Sequence, residues 1–227
     1  MSATGATPKF SANLSMLFQE VPFMERFAAA AKLGFKAVEF MFPYDYAIAD
    51  LKAALVDNEL KLVLINLPAG NFAAGERGIA VNPARQEEFR AGVARAIEYA
   101  QALGVPQINC LVGKTLSDVP VAEQRAALVA NLRYAAEALG QAGIRLLVEH
   151  LNSRDAPGFF LDTTGKVLDA LDAVGHPNAY LQYDVYHAQR MEGELTGILK
   201  TNLARIAHIQ IADNPGRHQP GTGEIAY

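Results

Sequence analysis

Three apolar segments in the second half of the chain each carry a polar, metal-competent side chain near their C-terminal end. They read Leu146-Leu147-Val148-Glu149-His150, Leu181-Gln182-Tyr183-Asp184-Val185-Tyr186-His187 and Ala207-His208-Ile209-Gln210-Ile211-Ala212-Asp213. In a parallel barrel, positions late in successive strands converge on the rim where chemistry is done. Glu149, Asp184 and Gln210 offer hard oxygen atoms, a donor set suited to Mg²⁺ or Mn²⁺ and not to a thiolate-bound metal. Period-two alternation puts Gln182 and Tyr186 on the face of Asp184, His208 and Ala212 on that of Gln210, and Leu147 and Leu151 on that of Glu149. His150 and Asp213 then face elsewhere or fall in loops. A single carboxylate at a strand end serves equally well as a helix cap or an arginine partner, but three polar strand ends in consecutive units favour a shared site. His187, three residues after Asp184, is read as a site residue, with a helix-start or core histidine as the alternative. His208 is assigned a structural or supporting role, and His176, beside Pro177, a place in a loop.

Such residues need repeated strand–helix units to bring them together, and the chain supplies them from Lys9 onward. Strands are expected at Phe10–Leu14, Ala37–Phe42, Leu60–Leu67, Gln107–Val112, Arg145–Leu151, Tyr180–Tyr186 and Ile206–Ala212. Several are almost wholly apolar, which suits strands covered on both faces. Between them lie amphipathic stretches, with Phe89, Val93, Ile97 and Ala100 on one face and Leu128, Leu132, Ala135 and Leu139 on the next. Gly34, Gly104 and Gly143 stand where helices must close before a strand. The alternation predicts a parallel (β/α)₈ TIM barrel, a single domain over residues 9–227, lacking its eighth β/α unit in this chain. Residues 1–8, small and polar, are expected to form a disordered lead-in. The first and seventh strands would then have exposed edges that invite pairing with another chain, a route to a homo-oligomer.

Composition narrows the function. Of 227 residues 51% are apolar, ample for one large core, and the net charge of −4 with no Lys/Arg block argues against nucleic acid. No apolar run approaches the ~18 residues of a membrane span, and the start lacks a signal-peptide pattern, so a cytoplasmic protein with a small polar ligand is expected. The single cysteine, Cys110, lies in a strand-like run and reads as a buried reduced thiol.

Val148-Glu149-His150, Asp184-Val185-Tyr186-His187, His208-Ile209-Gln210-Ile211-Ala212-Asp213, Gly216-Arg217-His218 and Pro220-Gly221-Thr222-Gly223-Glu224 together resemble the xylose-isomerase-like barrel superfamily. Within it they are most similar to the hydroxypyruvate isomerase and 2-oxo-tetronate isomerase family. Phe10-Ser11-Ala12-Asn13-Leu14-Ser15, Val38-Glu39-Phe40 and Asn66-Leu67-Pro68-Ala69-Gly70-Asn71, running into Ala74-Gly75-Glu76-Arg77-Gly78, agree with it. The resemblance implies that Glu149 is both metal ligand and acid/base, and that Asp184 and Gln210 are ligands. It also implies that His187 and Arg217 contact substrate. Glutamine at 210 is similar to the hydroxypyruvate isomerase branch, where ketose 3-epimerases usually carry histidine. The family's fourth ligand, an eighth-strand glutamate that is also the second acid/base, has no counterpart here.

The implied reaction converts hydroxypyruvate to tartronate semialdehyde by metal-assisted proton transfer through an enediolate. The partner is a small hydroxy-oxo acid whose carboxylate Arg217 could bind bidentately, with Lys114 either adding charge or standing as a solvated loop lysine. The alternatives are a ketose 3-epimerase, or a non-catalytic metal- or ligand-binding barrel that has lost the eighth-strand glutamate. A metal-dependent nuclease of the same superfamily ranks last.

Overall fold

A computed structural model describes residues 8–227. The expected lead-in at residues 1–8 lies outside the described residues except for Pro8, which is exposed coil. Seven parallel strands form one sheet in sequence order: β1 (Ala12–Asn13), β2 (Ala37–Glu39), β3 (Lys61–Asn66), β4 (Gln107–Cys110), β5 (Arg145–Glu149), β6 (Ala179–Asp184) and β7 (Ile206–Gln210). Each lies within or beside one of the seven expected runs. Helices α1 (Arg26–Lys32), α2 (Ile48–Asp57), α3 (Gln86–Leu103), α4 (Val121–Gln141), α5 (Thr164–Val174), α6 (Val185–Met191) and α7 (Leu195–Asn202) alternate with them. This is a TIM-barrel-like fold left open between β1 and β7, and no eighth strand occurs among the described residues.

The helices lie where the apolar faces required them. Leu128, Leu132, Ala135 and Leu139 of α4 are fully buried, and α3 buries Phe89, Val93, Ala96, Tyr99, Ala100 and Leu103. Ile97, assigned to that face from its spacing, is only partly buried, and Ala96 takes the inner position. Each buried leucine contributes roughly 1.5–3 kcal/mol, so these faces outweigh helix propensity in holding the layer. Helix α3 ends at Gly104, whose φ of +71° is a left-handed conformation that a side chain disfavours. Cys110 is fully buried, and burial pushes its thiol up to about 12, which leaves it protonated and unreactive at neutral pH.

All seven strands are shorter than the runs expected for them, the sixth for a reason visible in its hydrogen bonds. The run Tyr180–Tyr186 breaks at Asp184, where α6 begins. The cause is local: Asp184 Oδ1 accepts the backbone N–H of Tyr186 at 2.9 Å and of His187 at 3.4 Å, an N-cap that turns the chain into helix. Tyr186 therefore leaves the strand face assigned to it. Among the described residues no helix is long and apolar enough to cross a membrane.

Candidate active site

Six of the seven strands end on a polar residue: Asn13, Glu39, Asn66, Glu149, Asp184 and Gln210. Register aligns them, with Asn13 paired to Glu39 across β1 and β2, Glu149 to Gln182 across β5 and β6, and Asp184 to Gln210 across β6 and β7. Parallel pairing in register thus turns a one-dimensional pattern into a polar ring at the C-terminal rim. The ring opens on a cavity of about 370 Å³, lined by Asn13, Glu39, Asn66, Arg77, Glu149, Gln182, His187, Gln210 and Arg217 and walled by Met16, Phe40, Phe72, Leu111 and Leu151. A larger depression of about 480 Å³ lies beside the start of β3, lined by Leu55, Val56, Leu60, Leu103, Lys52 and Lys61. It has no carboxylate or histidine, so the chemistry belongs to the rim.

Glu149, Asp184 and His187 are all buried, and one ligand-capable atom of each lies within 4.8 Å of the others. Glu149 accepts a hydrogen bond from Asn109 Nδ2 at 2.8 Å. Burial raises its carboxyl to about 8, the neighbouring Asp184 adds to the rise, and Arg217 and the Asn109 bond oppose it. Asp184 spends Oδ1 on capping α6 and turns Oδ2 to Arg217 Nη2 at 2.9 Å. Arg217 holds a positive φ of 60° and stacks its guanidinium 5.2 Å from the Tyr186 ring centre. A non-glycine residue in that conformation is strained, and such strain concentrates at functional sites.

The hydrogen-bond network fixes the tautomer of His187. Its Nδ1 receives the backbone N–H of Asn152 at 3.1 Å and the Asn152 side-chain amide at 2.7 Å. The amide is oriented because its oxygen accepts the N–H groups of Arg154 and Asp155. The ring proton therefore sits on Nε2, which has no hydrogen-bond partner and lies 3.7 Å from Asp184 Oδ2. Burial pushes the ring down to about 4, so it stays neutral. A protonated nitrogen cannot ligate a cation, so His187 fits a hydrogen-bond donor to a ligand better than the third corner of a metal triad.

Gln210 faces the same site. Its Nε2 donates to Glu39 Oε1 at 2.6 Å, and its Oε1 accepts from Gln182 Nε2 at 2.9 Å. Glu39 had no part in the candidate set read from the sequence, yet it organises this side of the rim. It is 4% exposed and accepts four hydrogen bonds, from Ser11 Oγ and Asn13 Nδ2 at 3.0 Å each, His208 Nε2 at 2.7 Å and Gln210. Burial works to raise its carboxyl, but the bond and electrostatic attraction of His208, with Gln210 and Ser11, hold it below the usual range. His208 is held in turn by Gln107, 3.2 Å from its Nδ1. The only sequence signal for Glu39 was a charged residue inside the apolar run Val38-Glu39-Phe40.

Other residues lie outside the cluster. Asp213 binds the backbone N–H groups of Asn214, Gly221 and Ile225 in a loop, and Glu224 accepts from Gln189 and Asn214. Lys114 forms an isolated bridge to Phe159 and does not line the cavity. His176 accepts the backbone N–H of Asn178 in the turn before β6.

The donor chemistry fits a hard divalent cation. Two buried carboxylates lie close together, Arg217 binds one of them, and the amide oxygen of Gln210, which accepts from Gln182, belongs to the same rim. The xylose isomerase-like TIM barrel family model matches residues 27–227. Hydroxypyruvate isomerase of Escherichia coli is 57% identical over 219 residues, covering 96% of this chain and 85% of that protein. This chain belongs to the hydroxypyruvate isomerase family. A 2-oxo-tetronate isomerase of Cupriavidus necator is 44% identical over 97% of this chain and 85% of its own. A crystal structure from Brucella melitensis, described as an AP endonuclease of family 2, superposes with a TM-score of 0.95 at 42% identity, covering 97% and 85% of the two chains. Within the hydroxypyruvate isomerase family, the protein is an isomerase whose buried Glu149, Asp184 and His187 meet at the rim.

Proposed function

We propose that this isomerase interconverts hydroxypyruvate and tartronate semialdehyde, or a related 2-oxo-tetronate, by proton transfer between adjacent carbons, with Glu149 as the base. The observation that carries the reading is the buried Glu149 carboxyl, raised toward neutral pH beside Asp184, in a chain 57% identical to a hydroxypyruvate isomerase. Glu149, Asp184 and Gln210 Oε1 would hold a divalent cation, Mg²⁺ or Mn²⁺ by donor type. When bound, such a cation supplies Lewis-acid stabilisation of the negative charge that develops on the two substrate oxygens.

The chain's own residues carry the proton steps. Glu149 removes the C3 proton of hydroxypyruvate, and its raised pKa matches a base working near neutrality. Asn109 holds the carboxylate in place. His187 Nε2–H donates to a substrate oxygen, and Arg217 reaches the substrate while steadying Asp184. The other carboxylates that line the cavity are engaged, Glu39 by four donors and Asp155 by Arg190, Tyr186 and Asn152. In this reading Glu149 also returns the proton to C2, while the oxygen-bound proton passes between the substrate oxygens. The small acid partner sits in the cavity over this carboxylate.

The test is deuterium incorporation from D₂O into hydroxypyruvate, followed by NMR with and without Mg²⁺ or Mn²⁺. Metal-stimulated exchange with formation of tartronate semialdehyde is the expected result. Binding without exchange would sink the isomerase reading in favour of a non-catalytic barrel, and faster exchange of neutral ketoses would shift it to an epimerase.

Metal uptake should also depend on pH with a definite sign. A cation competes with the proton on Glu149, so apparent Mn²⁺ affinity rises as pH climbs from the ordinary carboxylate range, by up to about tenfold per unit. It then levels off near the raised pKa of about 8. Titration calorimetry in buffers of different ionisation heat should detect nearly one proton released at pH 6–7. A pH-independent affinity would count against Glu149 as a ligand.

A further inference from the structure

Arg217 was the residue read from the sequence as the carboxylate grip, but its Nη2 is engaged by Asp184. A second guanidinium lines the same cavity. Arg77 lies in the loop after β3, between Gly75 and Gly78. Its Nη1 donates to the carbonyls of Phe72 at 3.2 Å and Glu76 at 2.8 Å, and its guanidinium lies 4.0 Å from the Phe72 ring centre. Those contacts hold the group in one orientation while using only one of its three nitrogens.

The loop itself is pinned. Gly78 has a φ of +104°, and a Cβ there would fall 1.7 Å from the carbonyl oxygen of Leu111 just past β4. The acid beside Arg77 in sequence is taken elsewhere: Glu76 Oε1 pairs with Arg85 Nη1 at 2.6 Å, and its Oε2 accepts the Asn71 N–H. Among the described residues no carboxylate forms an ion pair with Arg77, whereas Arg217, Arg190 and Arg85 are all paired. Arg77 is therefore a pre-oriented cation that no carboxylate of the described residues pairs with, in a cavity where Glu39 and Asp155 are held by other donors.

We propose that Arg77 recognises the substrate carboxylate and so sets the preference of this site for short hydroxy-oxo acids over neutral sugars. The assignment rests on the isomerase reading above and names the residue that carries its substrate class. A guanidinium matches a carboxylate in plane and can donate to both oxygens, and stacking on Phe72 orients it before substrate arrives. The carboxylate carbon itself neither gains nor loses a proton in the reaction, so this contact should act on binding in ground and transition states alike.

The experiment compares wild type, R77M, R77K and R217M with hydroxypyruvate and with dihydroxyacetone, which lacks the carboxylate. R77M should raise KM for hydroxypyruvate about 30–100-fold with a much smaller change in kcat. The preference for hydroxypyruvate over dihydroxyacetone should fall by a similar factor, with R77K in between. NMR titration of hydroxypyruvate into the metal-free proteins gives the same comparison without turnover, and thermal melts confirm that each variant is folded. A folded R77M that keeps wild-type KM and binding, with the loss appearing in R217M instead, would overturn the assignment. Wild-type protein that neither binds nor converts hydroxypyruvate would overturn the isomerase reading itself, and the role of Arg77 with it.

Discussion

Glu149→Gln should lower metal-stimulated deuterium exchange into hydroxypyruvate by about 10³–10⁴-fold, the upper part of the range for a positioned general base. Glutamine keeps the volume and an oxygen able to accept from Asn109 Nδ2, but it cannot take a proton from carbon. Weaker Mn²⁺ binding should accompany the loss, since one of two facing carboxylates becomes neutral. The same substitution has an opposite effect on the fold. Burial and Asp184 raise the folded-state pKa of Glu149 from the ordinary carboxylate value of 4.5 to about 8. A raised acid favours the native state while protonated, and that stability is lost as pH rises from the unfolded value through the folded one. Metal-free wild type should therefore melt at a lower temperature at pH 8 than at pH 5, and Glu149→Gln should lack this part of the slope. Melting curves at the two pH values, beside the exchange rates, check both claims. An active E149Q, or identical slopes, would remove Glu149 from its proposed role.

Glu39 should give the second large effect, through positioning. Its carboxylate can only accept, so Gln210 must turn its Nε2 toward it and present its oxygen to the other side, where Gln182 donates. Glu39 thereby selects which end of the amide a cation would meet. Glu39→Ala would leave Gln210, His208, Asn13 and Ser11 without their acceptor in a site that is 4% exposed. Breaking a buried cluster of this kind costs roughly 3–5 kcal/mol, a large share of a typical domain's stability. Glu39→Gln is the more informative change, since it preserves shape but places an NH₂ group against existing donors. The least costly relief is for Gln210 to turn its amide over. Mn²⁺ affinity should then fall about 10–100-fold, as for other groups that orient a ligand. Calorimetric titration of folded E39Q checks this, and an unchanged affinity would exclude the orienting role.

Much of the architecture was legible because it follows from local rules. Leu62-Val63-Leu64-Ile65 is apolar because β3 is covered on both faces, and the buried stripe of α4 recurs at helical spacing. Glu149, Asp184 and Gln210 were found because strand direction alone places the end of each run at the rim. The boundary at Asp184 was harder. Val185-Tyr186-His187 suits a strand by composition, and only the capping bonds of Asp184 turn it into helix.

The amino-acid sequence by itself determined the seven strand–helix units, the single buried cysteine and the three oxygen-bearing strand ends. These depend on side-chain type and on spacings of two to four residues, which the chain states directly. Only the tertiary structure decided that Glu39 anchors Gln210 across 171 residues of chain, that Arg217 is committed to Asp184 while no carboxylate of the described residues pairs with Arg77, and that the free nitrogen of His187 carries a proton. Each of these is a competition among donors and acceptors from distant strands and loops, and its outcome is set by which partners the closing sheet brings within about 3 Å.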